Sequence, residues 1–330
     1  MRSNKQTVLI TGANGLLAVN TILQLLESNY KVIGLLRNKS KFPLKENENL
    51  QLVLGDITKP ETYEKHVKNS DIIIHIAAIT DQNISDYSIY QTVNANATKK
   101  ILEVSIEHKA TTFIYVSTAN CFGYGNIENP GSEEKVISPL FAKSLYAKSK
   151  LEGQQLILEI AKQQSDTKIM ITNPTFMIGG YDTKPSSGRI VLSAHKKRII
   201  FYPPGGKSFV NVKDAAKALT NTITSGKHGE SYILSGHNLS YKEFYQKVAI
   251  QLDQKSSFVR IPKTILLSVG YVGNMMRFLG IKTDISLTNV KTLCISNFYT
   301  NKKAQIEIQL EQNAIEDGIA DAIEWFDLKA

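Results

Sequence analysis

Cysteine is nearly absent from this sequence, which has two among 330 residues, Cys121 and Cys294. Two cysteines provide neither a disulfide framework nor a thiolate metal cluster. Long hydrophobic runs are missing as well, because no apolar stretch approaches the roughly 18–20 residues that a membrane span requires. The first residues show no charged and then apolar leader. These absences predict a cytoplasmic protein without stable membrane insertion.

Acidic residues are in the minority, since 30 Asp and Glu face 39 Lys and Arg, which gives a net charge of +9. The basic residues are spread along the chain, and the densest run is only Lys-Lys-Arg at 196–198. A run of this length is typical of a solvated face, so we expect no nucleic-acid partner. A basic balance suits anionic small molecules at least as well.

The first half of the chain alternates short apolar runs with longer amphipathic stretches. This alternation predicts a Rossmann-type α/β fold, a doubly wound parallel sheet with helices on both faces. The predicted strands are 7–10, 31–36, 51–54, 72–75, 112–117 and 168–172, and the predicted helices are 15–28, 63–67, 87–107 and 145–164.

The sequence pattern changes after Asn173-Pro174, where prolines, glycines and short strand candidates predict a smaller C-terminal α+β domain. We assign residues 1–173 to a dinucleotide-binding Rossmann domain and residues 174–330 mainly to a substrate-binding domain. The segment at about 209–226 is expected to return to the Rossmann core. Further helices are predicted at 212–224, 241–252, 262–279 and 314–326.

A glycine-rich turn follows the first predicted strand and opens the first predicted helix. The backbone can turn sharply at Gly12 and approach a pyrophosphate closely at Gly15, where helix amides meet the negative charge. Ala18 replaces a third glycine at little cost, because that position needs only a small residue. We therefore predict that Gly12, Asn14, Gly15 and Leu16 bind a dinucleotide; the alternative is a glycine-rich turn without a ligand.

The end of the second predicted strand bears on which nicotinamide cofactor binds. An acidic residue there would bond the ribose 2′-hydroxyl, whereas a basic residue pairs with a 2′-phosphate. The strand is followed by Arg37, with Lys39 or Lys41 as additional charge and no acid nearby. This pattern favours NADP(H) and leaves NAD(H) open, since Arg37 could also be an ordinary solvent-facing loop residue.

Two further strand ends contribute candidate cofactor contacts. Asp56 and Ile57 follow the third predicted strand, where an adenine ring would lie and the Asp56 carboxylate can accept from its exocyclic amine. Ala77 and Ala78 follow the fourth predicted strand, and small residues there let the backbone pass close to a ligand. His75, which ends that strand, fits a core histidine better than a catalytic one.

Tyr146 and Lys150 are four residues apart, so one helical face presents both side chains. A nearby ammonium favours the phenolate and is expected to lower the pKa of Tyr146 from its usual value of about 10. Such a tyrosine can give a proton to a developing alkoxide or take one from an alcohol. Thr118 or Ser117, at the end of the fifth predicted strand, can bind a carbonyl oxygen.

In this order on one chain, these motifs resemble extended short-chain dehydrogenases/reductases of the NAD-dependent epimerase/dehydratase superfamily. The likeness is greatest to the dihydroflavonol reductase and hydroxysteroid dehydrogenase branch, and it covers nearly the whole length. It includes residues 173–180, whose Asn-Pro-Thr-Phe-Met-Ile-Gly is similar to reductase-like members, and residues 209–216, which resemble the family's Phe-Val-x-Val-x-Asp-Ala segment.

The resemblance implies that Tyr146 is the catalytic acid/base and that Lys150 tunes it. It selects Thr118 as the catalytic hydroxyl, because Thr118 lies five residues before Gly123, with Ser117 as the fallback. Pro174 and Thr175 would border the nicotinamide, and Asn94 would support the site. Members of this family often pair the helices at 87–107 and 145–164 across a dimer, which leaves a homodimer open for this chain.

The predicted function is an NADPH-dependent reduction of an aldehyde or ketone, or the reverse oxidation of an alcohol. The alternative is a nucleotide-sugar epimerase or dehydratase with retained NAD. Ala119 and Asn120 place no acid beside Thr118, which argues against dehydration. Arg189, Arg198, Arg260 and Arg277 are the arginines after Pro174, and none can be assigned to a substrate diphosphate from the sequence. A binding module without turnover is a third class.

Overall fold

The computed structural model describes residues 5–40 and 42–328. Its centre is a sheet of seven parallel strands in the order β10-β6-β5-β4-β1-β2-β3. The strands are β1 (Thr7–Thr11), β2 (Lys31–Leu36), β3 (Leu50–Leu54), β4 (Ile72–His75), β5 (Thr112–Val116), β6 (Lys168–Pro174) and β10 (Ser231–Leu234). The predicted Rossmann-type α/β fold is confirmed. The prediction of six strands omitted β10, which pairs with β6 at the edge of the sheet.

Helices cover both faces of this sheet, and each face has its own apolar core. One core packs α1 (Leu16–Glu27), α7 (Val212–Ser225) and α11 (Lys302–Ile308) against the strands. The opposite core is built mainly from α2 (Glu64–Lys68), α4 (Ala97–Glu107) and α5 (Leu145–Gln163). Fully buried residues such as Leu9, Ile74 and Phe113 form the middle layer, as expected of parallel strands that are covered on both sides.

The helix predicted at 87–107 is interrupted. It begins as α3 (Tyr87–Tyr90), where the carboxylate of Asp86 accepts a hydrogen bond from the Ser88 amide, and continues through a π-helical segment, Gln91–Asn96, into α4. π-Helical turns widen a helix by one residue and commonly occur at functional sites. Here the turn contains the buried Asn94.

The remaining elements form a second layer beyond β6. A four-stranded sheet contains β7 (Phe176–Ile178), β9 (Gly206–Asn211), β11 (His237–Ser240) and β13 (Ser296–Asn297), and a parallel pair joins β8 (Ile199–Tyr202) to β12 (Ser257–Arg260). The helices here are α6 (Arg189–Ala194), α8 (Tyr241–Gln251), α9 (Lys263–Phe278), α10 (Leu287–Leu293) and α12 (Ile315–Trp325). Phe209, Phe244 and Ile319 lie in a third apolar core.

The C-terminal layer is connected to the central sheet by chain that returns to it. After β9, α7 packs against α1, and β10 then extends the sheet beside β6. None of the helices within the described part of the chain combines the length and the apolarity needed to cross a membrane.

Candidate active site

A cavity of about 640 Å³ lies at the carboxyl ends of the central strands, the edge at which doubly wound sheets bind ligands. Lys41 lies outside the described residues. The other residues predicted as catalytic or cofactor-binding line this cavity, namely Gly12, Asn14, Gly15, Leu16, Arg37, Asp56, Ile57, Ala77, Ala78, Thr118, Tyr146, Lys150, Pro174 and Thr175. Lys39, which was predicted with Lys41 as additional charge, and Asn94, which was predicted to support the site, do not line it. Ser117, the fallback hydroxyl, lines it too. The structure therefore brings together residues that are up to 163 positions apart in the sequence, from Gly12 to Thr175.

The glycine-rich turn has the shape that a pyrophosphate requires. Gly12 has a φ of +69°, and a Cβ built there would lie 2.9 Å from the Cα of Ala77. Gly15 precedes α1 in an extended conformation, and no described side chain caps the first amides of that helix. A small backbone-lined recess facing uncapped helix amides suits a phosphate group.

Thr11, which was not predicted as a site residue, stabilises this turn through its hydroxyl. Its hydroxyl accepts hydrogen bonds from the amides of Ile76 and Ala77, at 3.1 Å each, and so holds the end of β4 against β1. The ring of His75 bridges Thr11 Oγ1 at 2.8 Å and Thr98 Oγ1 at 3.0 Å. Burial lowers the pKa of His75 to about 3, so its ring is neutral and structural, as its sequence position indicated.

Arg37 and Asp56 lie at the end of the cavity formed by β2 and β3. Arg37 is exposed at its entrance. Oδ1 of Asp56 accepts from the amide of Thr58 at 2.9 Å and from its hydroxyl at 2.8 Å. These bonds, with a smaller contribution from the charge of Arg37, hold the pKa of Asp56 below its usual value. Asp56 is therefore ionised, and one of its oxygens is already engaged.

At the other end of the cavity, Tyr146 lies in the first turn of α5, which Ser144 caps by accepting from the Ala147 amide at 3.4 Å. Burial raises the pKa of Tyr146 above its usual value, and a hydrogen bond from Thr118 opposes this rise. The expectation of a lowered pKa is wrong for this structure, because desolvation of the phenol outweighs the stabilisation of its anion.

Lys150 is buried one helical turn beyond Tyr146. Its Nζ donates to the carbonyl oxygen of Val116 at 2.8 Å and lies 4.2 Å from the centroid of the Tyr115 ring. Burial lowers the pKa of Lys150 to about 7. The side chain is thus divided between proton states near neutral pH, and its ammonium contacts a carbonyl oxygen rather than the phenol.

The two candidate hydroxyls have different partners. Ser117 Oγ lies 3.4 Å from Cys121 Sγ. Thr118 instead has its hydroxyl beside Tyr146, and its carbonyl oxygen accepts from Asn173 Nδ2 at 3.0 Å. Asn173, a further residue missed by the sequence analysis, thereby fixes the backbone that presents Thr118. Nothing in the local sequence distinguishes Asn173 from other buried strand residues.

Asn94 connects the cavity wall to α5. Its Nδ2 donates to the Ile79 carbonyl oxygen and to Ser149 Oγ, each at 3.0 Å, while its Oδ1 accepts from the Ile79 amide at 2.8 Å. Both polar atoms of this buried amide are used in these bonds. Asn94 therefore positions the segment after β4 relative to the helix that carries Tyr146, in agreement with the supporting role implied by the resemblance.

Several lining residues were not identified individually from the sequence. Apolar side chains come from the segment after β4, the π-helical segment and β7, and polar ones come from the loop that follows β7. They are Ile79, Val93, Phe176, Met177, Asp182, Thr183, Lys184, Ser186 and Ser187. The loop is held down where Thr183 Oγ1 donates to the Asn14 carbonyl oxygen at 2.9 Å. Such lining residues have no motif, because their position depends on how the second layer packs on the first.

None of the four arginines after Pro174 lines the cavity, although the structure describes all four. Arg189 forms an ion pair with Asp284 at 3.6 Å. Arg277 donates through Nε to the Thr283 carbonyl oxygen at 2.9 Å and through Nη2 to that of Gln82. The geometry thus offers no arginine clamp for a substrate diphosphate within this cavity.

Residues 8–235 match the model of the NAD dependent epimerase/dehydratase family. The chain belongs to this family. Its members are the extended short-chain dehydrogenases/reductases, so the resemblance derived from the motifs is confirmed. The family comprises oxidoreductases, epimerases and dehydratases, and curated relatives of this chain carry names from each of these groups.

Two relatives match this extended short-chain dehydrogenase/reductase over nearly its full length. The "Putative dihydroflavonol 4-reductase" of Synechocystis sp. is 25% identical over 324 residues, which cover 96% of this chain and 93% of that protein. "Sterol demethylase protein B" of Methylococcus capsulatus is 21% identical over 324 residues, covering 97% and 98%.

Among solved structures, the UDP-glucuronic acid 4-epimerase of Bacillus cereus in complex with UDP-glucuronic acid and NAD has a TM-score of 0.75. It is 19% identical, and the match covers 98% of this chain and 99% of that one. This likeness shows the shared fold.

Proposed function

We propose that this chain is an NADPH-dependent oxidoreductase that reduces an aldehyde or ketone, or oxidises the corresponding alcohol. The observation that carries the proposal is one continuous cavity with Arg37 at one end and Thr118, Tyr146 and Lys150 at the other. These ends lie beside β2 and β5, which are three strands apart in the sheet. At the usual strand spacing this is about 14 Å, a distance that suits an extended dinucleotide.

The residues of the cavity fit such a cofactor from end to end. Arg37 would pair with the 2′-phosphate, and Asp56 and Ile57 would flank the adenine. Gly12, Asn14, Gly15 and Leu16 would hold the pyrophosphate, while Ala77, Ala78, Pro174 and Thr175 would border the nicotinamide, with Lys150 near its ribose. When bound, NADPH supplies a hydride to the carbonyl carbon.

The proton is supplied by Tyr146. Its raised pKa keeps the phenol protonated at neutral pH, which is the form needed to give a proton to the oxygen of a carbonyl that becomes an alkoxide. Thr118, which lines the same end of the cavity and whose hydroxyl accepts from the Asn120 amide at 3.3 Å, would donate a second hydrogen bond to the same oxygen. Burial lowers the pKa of Lys150 to about 7, below that of the phenol, so its ammonium is the stronger acid and transfer of a proton from it to a Tyr146 phenolate would be downhill.

Residues 174–330 would supply most of the substrate-binding surface. The walls beyond Tyr146 include Ile79, Val93, Phe176 and Met177, which suit a carbonyl compound with an apolar body. The position of the four C-terminal arginines outside the cavity also supports a reductase over an enzyme that grips a nucleotide diphosphate.

A nucleotide-sugar epimerase with retained NAD is the second candidate, and one observation favours it. Lys207 Nζ lies 5.1 Å from the centroid of the Phe176 ring, immediately behind the cavity wall. Burial lowers the pKa of Lys207 to about 8, and a desolvated ammonium favours a nearby anion. A movement of Phe176 would give an anionic substrate access to this charge.

Cofactor affinity distinguishes the two candidates. We expect the purified protein to bind NADPH at least tenfold more tightly than NADH, as measured by calorimetry and by the rise in melting temperature. Arg37→Glu should weaken NADPH binding by about 10- to 100-fold, because it removes charge-assisted hydrogen bonds and adds repulsion. Arg198→Glu, which changes an exposed arginine outside the cavity, is the matched control. Equal affinities, or no effect of Arg37→Glu, would favour the epimerase.

A further inference from the structure

Helix α9 exposes an uncharged apolar face to solvent. Its outward side chains include Tyr271, Val272, Met275 and Phe278, of which Phe278 is 90% exposed. With Ile265 and Val269, they occupy about half of the helix circumference at 100° per residue. The apolar surface continues beyond the helix through exposed Leu279, Ile281 and Ile285. A continuous apolar patch of this many exposed side chains on a folded protein marks an interaction surface.

The opposite side of α9 explains why this face is not part of the core. The buried residues of the helix are Leu266, Gly270 and Gly273. A Cβ at Gly270 would lie 3.0 Å from Leu287 Cα, and one at Gly273 would lie 2.5 Å from the Ile285 carbonyl oxygen. The two glycines thus let α10 and the chain before it approach closely. This side anchors the helix, so the apolar side is turned outward by the packing.

The charges around this face have one dominant sign. Residues 261–283 contain no Asp or Glu, whereas Lys263 and Lys282 flank α9 at its two ends. The preceding Arg260 is also exposed. The first acid after the helix is Asp284, which forms an ion pair with Arg189 at 3.6 Å. An apolar face bordered by basic residues complements the headgroups and acyl chains of an anionic lipid surface.

We propose that α9 is a peripheral docking helix that lies on anionic phospholipid bilayers. At 16 residues, α9 is about 24 Å long and too short to span a bilayer, so it would lie in the plane of the interface. Phe278, Met275 and Leu279 enter the acyl boundary, while Lys263 and Lys282 contact phosphate groups. Tyr271 suits the interface itself, where aromatic side chains with a polar tip are favoured.

The docking helix is joined directly to the wall of the active-site cavity. Arg277, in the last turn of α9, donates to the carbonyl oxygen of Gln82. Two residues earlier, Thr80 lines the cavity. Tyr90, at the end of α3, donates to the Asp81 carbonyl oxygen in the same segment. Binding of α9 to a bilayer therefore brings the segment after β4, and the cavity that it lines, to the lipid surface.

The test is co-sedimentation of the full-length protein with vesicles of equal parts phosphatidylglycerol and phosphatidylcholine. We expect the protein to bind these vesicles, and to bind pure phosphatidylcholine at least tenfold less because the basic flank then has no counter-charge. The double variant Met275→Glu/Phe278→Glu should lose at least tenfold in affinity for the anionic vesicles. Raising the salt concentration from 50 to 500 mM should also weaken binding.

The matched control introduces two glutamates at exposed apolar positions outside α9. Ile250→Glu/Ile306→Glu changes two apolar side chains that are 75% and 81% exposed on α8 and α11, and vesicle binding should be unchanged. All variants should keep the melting temperature, because every replaced side chain is exposed. Failure of the wild type to bind, or equal binding by the Met275→Glu/Phe278→Glu variant, would refute the proposal.

A second copy of the chain is the competing occupant of this face. Light scattering during size-exclusion chromatography distinguishes the two. The proposal would be overturned by two results together: the wild type forms a dimer that Met275→Glu/Phe278→Glu converts to a monomer, and it does not bind anionic vesicles. The face would then be assigned to self-association. Cofactor affinity is measured on the same samples. It should be equal in all of them, so the outcome does not depend on the proposed reductase activity.

Discussion

The two ends of the cavity are built from different parts of the molecule. At the end with the glycine-rich turn, which we call the dinucleotide end because we propose that the cofactor binds there, the surface is mostly backbone at the tips of buried strands. Gly12 lies there against Ala77, beside the uncapped amides of α1. At the other end, beyond Tyr146, the surface is side chain, from Val93, Phe176 and Met177. A backbone surface is fixed by the sheet itself. A side-chain surface can be changed one residue at a time, so we expect the second end to determine substrate specificity.

The largest effect should come from the phenol of Tyr146, at the side-chain end of the cavity. Tyr146→Phe removes the proton donor and should lower kcat by about 10²- to 10⁴-fold, the usual contribution of general acid catalysis. The NADPH-induced rise in melting temperature should remain, because the backbone surface is untouched. Tyr202→Phe, in β8 and outside the cavity, is the control. Turnover with carbonyl compounds is followed by NADPH absorbance. Full activity in Tyr146→Phe would remove Tyr146 from the mechanism.

The next largest effect tests whether the dinucleotide end depends on backbone shape. Gly12→Ala should weaken NADPH binding by about 100-fold, because a Cβ there lies 2.9 Å from Ala77 Cα and the turn must move. Gly229→Ala is the matched control: Gly229 also has a positive φ, +77°, but a Cβ there has no neighbour within 4 Å. Both variants bear the strain of a left-handed residue, about 1–2 kcal/mol. Similar calorimetric NADPH affinities in the two variants would contradict the close approach.

The smallest effect compares one lysine from each part of the molecule, the buried Lys150 and the half-buried Lys207. Burial lowers the pKa of Lys150 to about 7 and that of Lys207 to about 8, while the unfolded chain keeps the usual value near 10.4. Above each folded pKa the unfolded state binds more protons. The free energy of unfolding therefore rises with pH, from about 7 for Lys150 and from about 8 for Lys207, by up to about 1.4 kcal/mol per pH unit each.

Denaturant unfolding of the cofactor-free protein between pH 6.5 and 10 would measure this rise. Lys150→Met should lose the part of the slope that begins near neutrality, and Lys207→Met the part that begins one pH unit higher. An unchanged slope in either variant would mean that its ammonium is solvated in the folded protein.

The central sheet could be predicted from the sequence because its strands have continuous apolar runs that local pattern alone identifies. The bounds of β2 and β4 agree with those predicted, 31–36 and 72–75. Strand β10 was missed because Ser231–Leu234 is short and lies in a region without alternating pattern. Its place depends on the free edge of β6, which is a tertiary property. The same holds for β7 and β13, whose 3 and 2 residues give no periodicity.

The residues of the candidate site also fall into two groups, those that local sequence predicts and those that depend on tertiary contacts. Gly12, Arg37, Tyr146 and Lys150 could be found from spacing and from their place after strands. Thr11 and Asn173 could not be distinguished from ordinary buried strand residues, because their roles depend on hydrogen bonds to Ala77 and Thr118 across the sheet. The pKa of Tyr146 was predicted in the wrong direction, since helical spacing gives the proximity of Lys150 but not the extent of desolvation.

The return of the chain to the sheet at β10 has a consequence for dissecting this protein. A fragment ending at Pro174 would lack β10, α7 and α11, which leaves one edge of β6 unpaired and removes two of the three helices that cover the α1 side of the sheet. An apolar, unpaired sheet margin promotes aggregation. The central sheet is therefore not a separable module, and chimeras that exchange the second layer should splice around residues 212–234 rather than cut once.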